Sequence, residues 1–229
     1  MKKSILSVQT LAEIAIFAAL SFGLDALQGG YSRGMFVNGG SIGIAMLPIF
    51  VLAYRRGLIP GLICGFIVSL ISLIGAPYII NAANYNTEFL NVMGPFFMIM
   101  LDYILGYTLV GLAGAFSGLY AKGKTKGQRV LWVVVGTVMA GLLKYASHVI
   151  SGALFWLNPS ITFLGVNGGS VLYSFVYNGA YCIPNIIITT SVMVILAAFY
   201  PGFLTVKTKE EAAANEEAEE ALKEEPSHE

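Results

Sequence analysis

Six long apolar runs separated by short polar loops leave this chain few ways to fold. They lie near residues 6–27, 36–54, 58–75, 93–119, 130–157 and 170–200. Each approaches the roughly 20 residues that an α-helix needs to cross a bilayer. Inside a bilayer every backbone N–H and C=O must be paired within the protein, which favours helices over open strands. Charged residues make up only 11% of the chain, against roughly a quarter in a soluble domain. The expected fold is an all-α membrane protein: a bundle of six transmembrane helices over residues 1–206, followed by a cytosolic tail over 207–229.

Net charge is zero, but the charges are segregated. Nine of the thirteen acids lie in residues 210–229. That Glu-rich tail has no apolar stripe with which to dock and reads as a solvated segment. With six spans, Lys2, Lys3, Arg55, Arg56, Lys122, Lys124, Lys126, Arg129, Lys207 and Lys209 all fall on one side of the membrane. The positive-inside rule then places both termini in the cytoplasm. No small-residue cleavage site follows the first apolar run, so it reads as retained. Arg55, Arg56 and Gly57 make a tight turn between the second and third spans, and Pro48 predicts a kink within the second. Gly57, Gly61 and Gly65, like Gly114 and Gly118, are spaced for close helix packing. Cys64 and Cys182 lie in apolar spans and read as unpaired small hydrophobes.

The most informative stretch is Leu142–Trp156, LLKYASHVISGALFW. At about 100° per residue, Lys144, Ser147, His148, Ser151, Gly152 and Phe155 share one helical face, with Trp156 at its edge. Val149, Ile150, Ala153 and Leu154 fall opposite, toward bilayer lipid. An ionisable group within such a span costs roughly 2.5–3.5 kcal/mol on insertion scales, so it faces a partner or a cavity. Intramembrane charge is otherwise confined to Glu13, Asp25 and Asp102. The topology puts Asp102, His148 and the row Tyr173, Tyr177, Tyr181, flanked by Asn178 and Asn185, at one depth in the outer half of the membrane. Lys144, one turn deeper, is placed to neutralise Asp102.

Such a site suits a planar cation. Trp156 and His148 offer ring faces worth about 0.5–2 kcal/mol in a cation–π contact. Asp102 can accept a charge-assisted hydrogen bond from an amine, and Asn178 supplies both a donor and an acceptor. Tyr173 and Trp156 also fit an interfacial aromatic belt, and Asp102 with His148 also fits a buried pair that satisfies itself. Ser147, His148 and Asp102 contain the residue types of a nucleophilic triad, but adjacent helical residues diverge by about 100°. Neither a GxSxG elbow, a metal motif nor a GxxxxGK[ST] phosphate loop occurs, so the expectation is a protein that is not an enzyme, holds no metal or cofactor, and does not hydrolyse ATP.

KYASHVISGALFW, LDYILGYTLVGLAG, YSFVYNGAY, LPIFVLAYRRG and LAEIAIFAALSFG together resemble the thiamine-binding S components of energy-coupling factor (ECF) transporters. The resemblance spans all six helices in order. It implies a six-helix bundle in a bacterial cell membrane, with an outward-facing vitamin pocket beneath the loop joining spans 1 and 2. It also implies thiamine as ligand, and as partners a transmembrane coupling subunit and two cytosolic ATPase subunits. The family's pocket acid maps onto Asp102, followed by Tyr103. Its stacking pair maps onto His148 and Trp156 with Gly152 between them, and its pyrimidine contacts map onto Tyr173 and Asn178. Tyr78 matches a further aromatic contact. Ala15 and Ala19 fit the AxxxA surface that meets the coupling subunit. Three departures are visible: Gly34–Met35–Phe36 stands where relatives have a tryptophan, the acid is Asp rather than Glu, and residues 79–93 enlarge an outer loop. Alternative readings are an S component for a pyrimidine precursor or pyridoxine, a stand-alone channel, or an intramembrane hydrolase.

Overall fold

The computed structural model describes residues 6–32, 34–36, 39–74, 83, 85 and 87–206. Tyr78, Arg33 and the acidic tail lie outside the described residues. Among the described residues six long helical runs follow one another: α1 (Val8–Ser32), α2 (Leu47–Arg56), α3 (Leu58–Ile74), α4 (Glu88–Lys122), α5 (Lys126–Phe155) and α6 (Val171–Phe199), with a 3₁₀ turn, Pro201–Phe203, after them. A short antiparallel hairpin, β1 (Thr162–Phe163) and β2 (Val166–Asn167), joins α5 to α6.

Among the described residues four helices are long and apolar enough to cross a membrane: α1, α4, α5 and α6. The apolar α3 has 17 residues and α2 only 10, so two of the six expected spans are shorter than a full crossing. The expected helix over 36–54 is the larger departure. Helix starts only at Leu47, and Pro48 sits in its first turn, where the missing N–H costs nothing, instead of kinking a longer helix. Gly39 (φ 90°) and Gly40 (φ 110°) hold a backbone conformation that opposes helix.

The non-helical stretch before α2 is tolerated because its polar backbone is paired by side chains. From α1, Gln28 accepts from the Ala45 N–H (3.1 Å) and Ser21 donates to the Ala45 carbonyl (2.6 Å). Tyr31 donates to the Ile42 carbonyl (2.6 Å), and Ser32 accepts from the Ile42 N–H (3.2 Å). From α6, Asn185 accepts from the Gly43 N–H (2.7 Å) and donates to the Ser41 carbonyl (2.8 Å).

Gly57 alone links α2 to α3, with φ 93° and its N–H donating to the Ala53 carbonyl. At the same end of the bundle Glu13 accepts from Arg55 (3.0 Å) and Arg56 (2.6 Å). Arg55 also donates to the Thr205 carbonyl (3.0 Å), tying α1, α2 and the chain after α6 together. Glu13 is therefore a structural ion partner.

Glycines set how closely α3 meets α4. A Cβ at Gly65 would lie 2.2 Å from the Tyr107 carbonyl oxygen, and one at Gly111 would lie 2.4 Å from Gly61. Gly118, expected to share this role, has open space around it. Helix association in lipid depends on such close packing because burying apolar surface gains little there. α2 lies at the centre of the bundle, with Ile49, Phe50 and Leu52 fully buried against Val68, Val110, Val133 and Met193. α5 starts at a capping box, Thr125 with Gln128, that closes the turn after Lys124.

Candidate functional site

The winding of α4 is uneven where it matters. Ile99–Ile104 is π-helical, with the Leu105 N–H donating to the Met100 carbonyl, and Leu109–Phe116 is 3₁₀. Single π turns inside α-helices recur at functional sites because they re-aim the side chains they carry. This one carries Asp102 and Tyr103. Neighbouring helices brace its carbonyls: Ser147 donates to Leu101 (2.7 Å) and Ser69 to Ile104 (3.1 Å). Ser147 is thus turned away from His148 and spent on the α4 backbone.

Asp102 faces a cavity of about 670 Å³, within the range of small-molecule sites. One carboxylate oxygen accepts from the Trp156 indole N–H (2.9 Å); the other pairs with His148 Nδ1 (3.3 Å). His148 and Trp156 stand two helical turns apart on α5, and Trp156 caps that helix, so its indole can bend back over the acid. The far imidazole nitrogen, Nε2, is buried and has no hydrogen-bond partner among the described residues. An unpaired buried polar atom costs about 1–3 kcal/mol. Nε2 lies toward Gly106 of α4, where a Cβ would stand 3.6 Å from both Nε2 and the Lys144 ammonium.

Asp102, Tyr103, Lys144, His148, Gly152, Trp156, Tyr173 and Asn178 all line this one cavity. Two of them, Lys144 and Asn178, are engaged differently from the expectation. Lys144 forms no ion pair with Asp102; its ammonium lies 4.2 Å over the Tyr107 ring. Asn178 spends its amide donors within the protein, on the Ser174 carbonyl (2.9 Å) and the His148 carbonyl (3.2 Å), and its oxygen accepts from Tyr181 (2.6 Å). Gly152 gives α6 room: a Cβ there would lie 2.2 Å from Ser174 Oγ and 2.9 Å from Asn178 Nδ2. Val149, expected to face lipid, is buried, and its carbonyl accepts from Ser174 (2.8 Å).

The aromatic row is interior, not an interfacial belt, since Tyr173, Tyr177 and Tyr181 are only 4%, 5% and 7% exposed. Tyr173 stacks on Tyr177 (5.4 Å, 22°), and Tyr177 donates to the Gly39 carbonyl (2.9 Å). Phe36 closes this wall, edge-on to Tyr181 at 5.4 Å and to Tyr177 at 5.9 Å, with Phe163 of β1 beside it at 6.2 Å. An aromatic ring from this loop therefore lines the cavity despite the missing tryptophan. A Cβ at Gly40 would enter the Tyr181 ring at 2.6 Å, so the loop must be glycine there to lie flat on the cavity. The cavity thus combines aromatic walls with an anchored carboxylate, Asp102.

The thiamine transporter protein family matches this chain over residues 11–205. The chain belongs to that family. It is a membrane transport protein rather than an enzyme. The chain is 33% identical over 202 residues to the thiamine transporter ThiT of Bacillus subtilis, covering 85% of this chain and 93% of that one. It is 29% identical over 178 residues to ThiT of Lacticaseibacillus paracasei, covering 72% of this chain and 80% of that one. A solved structure of ThiT from Listeria monocytogenes superposes with a TM-score of 0.62 at 22% identity, covering 87% of this chain and 98% of that one. That likeness shows a shared fold. Members of this family from bacteria, together with the apolar helices, make this chain a bacterial membrane protein.

For this thiamine transporter family member, sequence reasoning missed part of the cavity wall. Asp25 and Gln28 reach it from α1, Ser72 from α3 and Tyr107 from α4, while Asn185 of α6, expected beside the tyrosine row, lines it as well. Asp25 and Gln28 stand three residues apart on an otherwise apolar helix, which places both on one face. That pattern was the available signal. Tyr107 carried none, since nothing in LGYT sets it apart from a belt tyrosine.

Proposed function

We propose that this chain is the substrate-capture subunit of an ECF-type importer, binding thiamine in the cavity around Asp102. The positive-inside orientation opens that cavity to the outer face of the bacterial cell membrane, where a multi-pass protein with both termini inside meets the vitamin. Thiamine joins an aminopyrimidine to a permanently cationic thiazolium. The observation that carries the reading is the anchored Asp102 beside an unpartnered His148 Nε2 within an aromatic-walled cavity.

In this reading Asp102 accepts from the exocyclic amine and His148 Nε2 pairs with the ring system. Trp156 and Tyr103 present faces to the rings, and a cation–π contact contributes about 0.5–2 kcal/mol. Tyr173 flanks the pyrimidine. Asn178 acts mainly by holding His148 and Tyr181 in place. Bonds that exist before the ligand arrives lower the ordering cost of binding, which supports nanomolar affinity, about −12 kcal/mol. The chain carries no phosphate loop, so energy comes from two cytosolic ATPases through a membrane coupling subunit. Ala15 and Ala19, both exposed on α1, form the surface offered to that subunit.

Isothermal titration of the purified chain with thiamine, a pyrimidine precursor and pyridoxine tests this. Expected is one-to-one nanomolar binding of thiamine and binding at least a hundredfold weaker for the others. Tighter binding of pyridoxine or the precursor refutes the assignment. Thiamine uptake into liposomes holding this chain alone would instead favour a channel.

A further inference from the structure

The cavity holds a second carboxylate that the thiamine reading leaves without a task. Asp25 lines it from α1, and both of its hydrogen bonds converge on Oδ1, one from the Tyr107 hydroxyl and one from Gln28 Nε2 at 3.3 Å. Among the described residues nothing donates to Oδ2. Gln28 is not free to leave: its amide also donates to Ser41 Oγ (2.8 Å) and accepts from the Ala45 N–H (3.1 Å). Asp25 is therefore held in place on one side and open on the other.

Tyr107 joins this acid to the cavity's one lysine. Its hydroxyl bonds Asp25 while its ring face lies 4.2 Å beneath the Lys144 ammonium. Lys144 is buried, and among the described residues no carboxylate stands within ion-pairing distance of it. A buried ammonium needs compensation, and the Tyr107 ring supplies only part of it. Among the described lining residues, two carboxylates, Asp25 and Asp102, against one ammonium give a net charge of −1 when His148 is neutral. Were Asp25 absent, Lys144 would cancel Asp102 and the cavity would hold no net charge.

We infer that Asp25, fixed by Gln28 and Tyr107, is a specificity-determining residue that balances Lys144 and so reserves the Asp102 charge for a ligand bearing one positive charge. The inference rests on the thiamine reading and adds charge selection to it. A ligand with the same rings whose charge is offset by a phosphate meets a cavity of the wrong sign, and Asp25 is the residue that makes it so.

The test compares thiamine with thiamine monophosphate, by titration for one and competition for the other, on the wild-type protein and Asp25→Asn. The asparagine keeps the size and can still accept from Tyr107, so only the charge is lost. A unit charge acting across roughly 12 Å at an effective dielectric of about 20 predicts that thiamine binds about tenfold more weakly. The monophosphate should hold or gain affinity, so the preference for thiamine shrinks at least tenfold. Equal weakening of both ligands, as a purely structural role demands, overturns the inference, and so does no change in either. Tyr107→Phe keeps the ring under Lys144 and removes the hydroxyl. It should shift the same preference by about threefold, and it decides by the same rule should Asp25→Asn fail to fold. A wild-type protein that does not bind thiamine would overturn the parent reading as well, whereas an unshifted preference overturns only this one.

Discussion

Replacing Asp102 by asparagine separates the charge of the site from its shape. The carboxylate now accepts from Trp156 Nε1 at 2.9 Å and pairs with His148 Nδ1 at 3.3 Å. An asparagine oxygen can still accept from the indole, and its NH₂ can face His148 Nδ1 if the imidazole carries its proton on Nε2. The cavity thus keeps its walls and loses one unit of negative charge. For a ligand cation about 5 Å away, an effective dielectric of about 20 gives roughly 3 kcal/mol. Relief of the carboxylate's desolvation offsets about 1 kcal/mol of that. The expected loss is therefore about 2–3 kcal/mol, or roughly 30- to 150-fold in Kd. Isothermal titration of Asp102→Asn with thiamine reads this directly, and a thermal melt without ligand confirms the fold. A Kd within threefold of wild type, in a variant that melts normally, would refute the assignment of Asp102 as the ligand's counter-charge.

Two further substitutions probe what shapes the cavity. Gly152→Ala puts a methyl 2.2 Å from Ser174 Oγ and 2.9 Å from Asn178 Nδ2, so it should push α6 from α5 and cost about 1–3 kcal/mol, seen as a lower melting temperature with weaker thiamine binding. A variant as stable as wild type would mean the helices are looser than their spacing implies. Phe36→Ala opens the lid beside Tyr177 and Tyr181. Stopped-flow fluorescence should show thiamine leaving about tenfold faster, since edge-to-face contacts of this kind contribute roughly 0.5–1.5 kcal/mol beyond buried area. An unchanged off-rate would show that Phe36 does not cover the ligand.

The α5 face was legible because three signals coincide there: an apolar run of helical length, ionisable residues within it, and Lys144, His148, Gly152 and Trp156 at four-residue spacing. All four line the cavity. Asp102 stood out for the same reason, as one of few acids outside the tail. Its π turn did not, because that winding depends on Ser147 and Ser69 arriving from α5 and α3 to hold its carbonyls. Residues 36–46 misled for a physical reason. Hydropathy registers that they are apolar, yet Gly39 and Gly40 break the helix and five side chains, from α1 and α6, substitute for its hydrogen bonds. The spacing of Asp25 and Gln28 marked one face of α1, but not the Tyr107 hydroxyl that meets Asp25 from α4. Lys144 pointed to Asp102 by spacing alone; the Tyr107 ring that actually lies beneath it comes from α4.

The most direct test is an experimental structure of the chain with thiamine bound. Expected is the aminopyrimidine within hydrogen-bonding distance of Asp102 and His148, its rings between Trp156 and the tyrosines of α6, beside Phe36. Thiamine found outside this cavity, or inside it with Asp102 still bonded only to Trp156 and His148, would contradict this placement.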